Sequence, residues 1–198
     1  MSSDKSNLTG GLNKQSYEIE SELRIRNILE EHTNWRFQFT KNDKYAYDLK
    51  VRRWDTQPRS DESNEIIGYV EIERSRGDKD KSWVTGDVPN SWPYLTFLQR
   101  KVKNYDYVRG CWGGLKSEHE NTVYLKFNHT MDNCFATPIT VIHQDGQQTK
   151  RSDGSPNGTY LQLSKDHESL YYGIENCVSF ITTYLTQKKE GQSSISNW

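Results

Sequence analysis

Hydrophobic and polar residues alternate with a period of two in several short stretches of the chain, and with a helical period near its two ends. Residues 17–32 carry Ile25, Ile28 and Leu29 as an apolar stripe, with Ser16 placed to cap the first turn. Glu18, Glu20 and Glu22 stand where the helix dipole favours negative charge, so this segment predicts a first helix. WRFQFT (35–40) reads as a strand, KNDK as a turn and YAYDLKV (45–51) as a second strand, together a hairpin. A polar, Pro58-bearing loop over 52–65 then leads to a third strand, IIGYVEIE (66–73).

Residues 74–93 are polar, and YLTFLQRKVKNY (94–105) fits either a strand entering a turn or a short helix. NTVYLKFN (121–128) and CFATPITVIHQ (134–144) predict strands, DGQQTKRSDGSPNGT (145–159) a Gly-rich loop, and TYLQL (159–163) a last extended segment. In SLYYGIENCVSFITTYLTQKK (169–189), Leu170, Ile174, Val178, Ile181 and Leu185 recur with helical spacing. A helix, three strands and a mixed remainder predict an α/β chain of the α+β kind, a mixed central sheet flanked by helices. The chain divides into a lead-in (1–15), a core (16–136) and C-terminal strands and helix (137–198) packed on the same domain.

With 198 residues the chain is long enough for one sizeable core. A formal net charge of −1 means that any nucleic-acid-binding surface must be local. Six Trp and twelve Tyr offset a modest aliphatic count in filling the interior. Cys111, Cys134 and Cys177 are odd in number and form no CxxC pair, which argues against a disulfide framework or a zinc site and for a reducing compartment. The first residues lack the apolar run of a signal peptide and no stretch reaches the length of a membrane span, so a cytoplasmic protein without a membrane partner is expected.

The candidate chemistry lies in three acids. In GYVEIERS, Glu71 and Glu73 share one strand face about 7 Å apart, while Val70 and Ile72 point to the other. Asp48 follows the same alternation in AYDLKV. If the two strands pair, three carboxylates converge on one patch of sheet, an arrangement whose repulsion a hard cation such as Mg2+ or Mn2+ offsets. Lys50, one pleat from Asp48, adds positive charge on that face. Arg100, Lys101 and Lys103, with Arg109 and Lys116 nearby and Tyr105, Tyr107 and Trp112 interleaved, form a basic patch suited to phosphate contacts beside base stacking. Arg52 and Arg53 add charge at the start of the loop, and Asn128 follows a strand near these elements. The histidine spacings match no zinc pattern.

An acid-bearing helix, a strand with Asp and a following strand with (D/E)-x-K resemble the core of the PD-(D/E)XK nuclease superfamily, here with Glu22, Asp48, Glu71, and Glu73 in the place usually held by Lys. The similarity covers roughly residues 17–136 and extends to WPYLTFLQRKVKNY and VYLKFNHTMDNCFA, which look like phage and bacterial members. It implies a restriction-endonuclease-like core and metal-dependent endonuclease activity on DNA in a bacterial or phage-infected cell. Asp48, Glu71, Glu22 and the Ile72 carbonyl would be ligands to Mg2+ or Mn2+, Glu73 would orient or deprotonate water, and Arg100, Lys101, Lys103 and Lys50 would face nucleic acid. Members of this kind act as dimers where two strands need two sites, so a homodimer is compatible with the resemblance. Two other functions fit the sequence: a nuclease-like module that binds nucleic acid or protein without cleaving, and an aromatic-rich ligand-binding domain using Trp83, Trp92 and Trp112.

Overall fold

The computed structural model describes residues 22–33, 35–39, 48–53, 66–75, 83–106, 111–115, 121–149 and 160–193. Ser16, Glu18 and Glu20 lie outside these residues, as do Arg109, Lys116, Tyr107 and His119. In chain order the elements are α1 (22–32), β1 (Trp35–Phe39), β2 (Leu49–Arg53), β3 (Ile66–Arg74), β4 (Tyr94–Leu98), α2 (Gln99–Val102), β5 (Lys103–Asp106) and β6 (Cys111–Leu115). They continue as β7 (Thr122–Phe127), β8 (Cys134–Pro138), α3 (Ile139–Asp145), β9 (Gln147–Thr149), β10 (Tyr160–Ser164), β11 (Tyr171–Tyr172) and α4 (Ile174–Ser193).

Six strands form one mixed sheet in the order β1-β2-β3-β7-β8-β11. β3 and β7 run parallel, and the other neighbours in this sheet run antiparallel. Strand alternation sorts the residues of β3 and β7 onto two faces. Val70, Ile72, Val123, Leu125 and Phe127 lie in a core with Ile25 and Leu29 of α1 and Cys177, Val178, Ile181 and Leu185 of α4. Both long helices therefore cover one face. On the other, Tyr124 and Phe135 join Leu95 and Phe97 of β4, Val102 of α2, Ile139 and Ile142 of α3, and Leu161 and Leu163 of β10. A three-stranded antiparallel sheet, β4-β10-β9, lies in this second layer. Glu71 and Glu73 of β3 belong to this second face.

Several local expectations are corrected. Asp48 stands in a bend immediately before β2 rather than inside the strand. Arg52 and Arg53 belong to β2, not to the following loop, and Arg52 Nε donates to Gln38 Oε1 at 3.1 Å. The 94–105 segment combines strand, one helical turn and strand. ITVIHQ is helical: Pro138 stands at the N-cap position of α3 without a side-chain cap, and Ile139 and Ile142 bury one side of its turn. Gln147–Thr149 adds a strand to the supposed loop, and Tyr171–Tyr172 pairs with β8 before α4 begins. Trp83 is a core residue stacked on Phe135 at 5.7 Å, with its indole N–H on the Gly86 carbonyl, so it offers no stacking surface to a ligand. No helix among the described residues is long and apolar enough to cross a membrane.

Gly68 marks where β3 passes beneath α4. A Cβ there would stand 2.5 Å from Leu185 Cδ2 and 2.6 Å from the Asn121 carbonyl oxygen, and the backbone atom cannot rotate away. Gly68→Ala is therefore expected to destabilise the fold by about 1–3 kcal/mol. Urea unfolding checks this as a lower midpoint at unchanged slope.

Candidate functional site

The described ladder between β2 and β3 ends at the Leu49–Val70 pair, and side chains take up the Ile72 peptide groups beyond it. Asp48 Oδ2 accepts the Ile72 N–H at 2.7 Å. The Ile72 carbonyl accepts the Lys101 ammonium at 2.8 Å. The same ammonium contacts Glu71 Oε1 and lies 3.5 Å from Asp48 Oδ2. Three oxygens from two segments thus converge on one positive nitrogen. Lys101 reaches this point because β4 buries Leu95 and Phe97, and α2 buries Gln99 and Val102, holding the turn over β3.

Glu73, two residues further along β3, has its own partners on β7. The parallel register sets Glu71 beside Tyr124 and Glu73 beside Lys126. Lys126 Nζ is 2.7 Å from Glu73 Oε1, and the Tyr124 hydroxyl donates to Glu73 Oε2. The Tyr124 ring is fully buried and held edge-on by Phe97 at a centroid distance of 5.2 Å. Tyr124 and Lys126 are the site residues missed in the sequence. Their signal was the alternation Tyr124, Lys126 in VYLKF, which presents both on one strand face, but nothing local says that this strand lies beside β3.

The electrostatics follow from this arrangement. Burial alone pushes the Lys101 ammonium toward neutrality, but the Glu71 and Asp48 carboxylates outweigh it and hold its pKa above that of ordinary lysine. Burial pushes the Glu73 carboxyl up, and Lys126 and Tyr124 outweigh it, so the net shift is downward. Tyr124 is pushed well up by burial and by Glu73, and remains a neutral donor. Among the described residues, the three carboxylates of Asp48, Glu71 and Glu73 face the ammonium groups of Lys101 and Lys126, one negative charge in excess.

Glu73 has a pH signature. Its folded pKa lies below the usual 4.5, so its stabilising contribution is fully present above that pH and is lost as pH falls through the folded value. The stability gap between the parent and Glu73→Gln is therefore expected to narrow from about pH 6 to about pH 3. Urea midpoints for both proteins across that range check it, and a constant gap would contradict it.

The three-carboxylate expectation needs correction. Among the described residues no group of three or more His, Cys, Asp or Glu side chains could together hold a metal ion. Asp48 and Glu71 come together around Lys101, Glu73 is turned to Lys126 and Tyr124, and Glu22 at the start of α1 completes no such group. The third oxygen at the Asp48–Glu71 pair is the Ile72 carbonyl. Oxygen-only donors of this kind suit a hard divalent cation, and the ammonium at their centre marks the point where positive charge is held.

Of the residues expected to face nucleic acid, Lys101 lies within the acidic cluster and Lys50 is half-buried on β2, its backbone paired with Tyr69. Arg100 belongs to α2 and Lys103 opens β5, but their side chains lie outside the described residues, as do those of Tyr105 and Trp112. Asn128 organises a turn instead of facing a site. Its Oδ1 accepts the backbone N–H groups of Asp132 and Asn133 at 3.1 and 3.4 Å, and its Nδ2 donates to the Gly86 carbonyl at 3.2 Å.

No family model matches the chain, and no solved structure matches it. The isoleucine–tRNA ligases of Buchnera aphidicola subsp. Acyrthosiphon pisum, strains Tuc7 and 5A, are each 26% identical to it over 98 residues, which is 48% of this chain. The matched stretch spans 8% of the length of those ligases.

Proposed function

We propose that this protein is a metal-dependent endonuclease that hydrolyses phosphodiester bonds in DNA, built on a restriction-endonuclease-like core. The observation that carries this reading is the convergence of Asp48 Oδ2, Glu71 Oε1 and the Ile72 carbonyl on a single cation. A helix, an antiparallel β1-β2-β3 unit and a parallel neighbour to β3 support the same reading.

Asp48, Glu71 and the Ile72 carbonyl would hold Mg2+ or Mn2+. When bound, such an ion lowers the pKa of a water molecule and offsets charge on the transferring phosphoryl group. Lys126 supplies the positive charge that Glu73 lacks in the position usually held by Lys. It reaches the same face from the neighbouring strand and places its ammonium against Glu73. Glu73 has one oxygen on Lys126 and the other on Tyr124, and its lowered pKa makes it a poor proton acceptor. Its role in this reading is to fix Lys126, with Lys126 stabilising negative charge that develops on the phosphate. Arg100, Lys103 and Lys50 are proposed to meet the DNA backbone.

A second reading is favoured by Lys101 itself. An ammonium among the same three oxygens is what a nuclease-like module without activity, gripping nucleic acid or a protein, would carry. Incubation with linear, nicked, branched and single-stranded DNA in Mg2+, Mn2+ or EDTA separates the two. Cleavage that requires the metal is expected. DNA binding that EDTA leaves unchanged, with no cleavage on any substrate, would favour the second reading.

A further inference from the structure

We infer that Lys101 is an exchangeable counter-ion, which holds the cation seat closed in the metal-free protein and leaves it when a divalent cation binds. The inference rests on the proposed metal site, and it concerns how that site is regulated.

The first argument is exclusion. Oxygen ligands approach Mg2+ or Ca2+ at about 2.0–2.6 Å. The Lys101 nitrogen is 2.8 Å from the Ile72 carbonyl, 3.5 Å from Asp48 Oδ2 and in contact with Glu71 Oε1. An ion drawn in to bonding distance of those three oxygens would crowd that nitrogen and repel its charge, so the two do not share the seat.

The second argument is charge. Among the described residues, Asp48, Glu71 and Glu73 exceed Lys101 and Lys126 by one negative charge, and exchanging one ammonium for a divalent ion offsets it. Removing Lys101 without replacement takes away the ammonium that the buried Glu71 and the half-buried Asp48 share, which raises the repulsion between the two carboxylates. The site therefore favours having one cation or the other.

The third argument is freedom to move. The Lys101 side chain is 19% exposed, so a path to solvent exists, and its four-carbon stem turns by rotamer changes alone. α2 is fixed through Val102 and Gln99, both buried, so the exchange requires no movement of the backbone. The released ammonium remains tethered beside the seat by its own side chain. A resident ammonium also scales apparent metal affinity down to the fraction of molecules in which the seat is open.

The test is isothermal titration of MnCl2 into the parent and Lys101→Met, with folding of the variant checked by circular dichroism. Lys101→Met is expected to bind Mn2+ about tenfold more tightly or better. Equal or weaker binding by the folded variant would overturn the inference. A measurement on the parent alone covers the case in which the variant does not fold. Reductive methylation mapped by mass spectrometry should label Lys101 several-fold faster in saturating MgCl2 than in EDTA, and labelling that saturation leaves unchanged would overturn the exchange. DNA cleavage measured alongside keeps the two claims apart. Metal-dependent cleavage without tighter Mn2+ binding by Lys101→Met removes the exchange and keeps the nuclease. Tighter binding without cleavage keeps the exchange and removes the nuclease.

Discussion

Glu71→Gln is expected to lower metal-dependent DNA cleavage by on the order of 10³ while leaving the protein folded. Glutamine keeps the shape and a carbonyl oxygen toward Lys101 but removes the charge that would hold a divalent ion. Glu71→Ala is a different experiment. Glu71 is buried and in contact with the Lys101 ammonium, so alanine removes the ion's closest carboxylate. Losing one partner of a buried pair costs about 3–5 kcal/mol, and Asp48 and the Ile72 carbonyl hold this case toward the lower end. Alanine at this position therefore reports on folding as well as on cleavage. Single-turnover cleavage and urea unfolding of both variants check the pair of statements. Glu71→Gln cutting DNA at the parental rate would sink the proposed mechanism.

Lys126→Met is expected to slow cleavage by about 10²-fold while leaving Mn2+ affinity within a few-fold of the parent. Lys126 contacts Glu73, whereas Lys101 holds the Asp48, Glu71 and Ile72 oxygens. Its loss removes a positive charge from the face of the site without removing a metal ligand. The substitution also strips Glu73 of its cation, leaving the Tyr124 hydroxyl as a neutral partner. Without Lys126 the burial that pushes the Glu73 carboxyl up is no longer outweighed by that ammonium, so the acid-side loss of stability shrinks or reverses. A purely structural Lys126 would show that stability change with no change in the single-turnover rate. Reading rate, metal affinity and the pH dependence of stability on one variant therefore separates a catalytic role from a structural one.

The elements around the acids were legible because their patterns are local. The alternation in YVEIE places Glu71 and Glu73 opposite Val70 and Ile72, and the structure keeps that sorting. The apolar stripes led by Ile25 and Leu29 and by Val178, Ile181 and Leu185 likewise face the sheet in α1 and α4. Residues 139–144 misled because Ile139, Thr140, Val141 and Ile142 are β-branched and read as strand. Pro138 and the burial of Ile139 and Ile142 against the second layer override that preference.

The partners of the acids were not legible, because they are set by long-range pairing. Lys126 meets Glu73 only because β7 lies parallel beside β3, a neighbour relation written in no short window of sequence. Lys101 reads as one cation of an exposed basic run, RKVK, and its insertion among Asp48, Glu71 and the Ile72 carbonyl depends on how β4 and α2 dock over the sheet. How the repulsion among the three carboxylates is offset was not legible for the same reason. Two of them gather around Lys101, and the third is balanced by Lys126.

The most direct measurement is the anomalous scattering of crystals soaked in MnCl2. The account predicts one Mn2+ peak within bonding distance of Asp48 Oδ2, Glu71 Oε1 and the Ile72 carbonyl, with the Lys101 ammonium withdrawn from those atoms. A map from Mn2+-saturated crystals with no peak at that point and Lys101 still against Glu71 would contradict it.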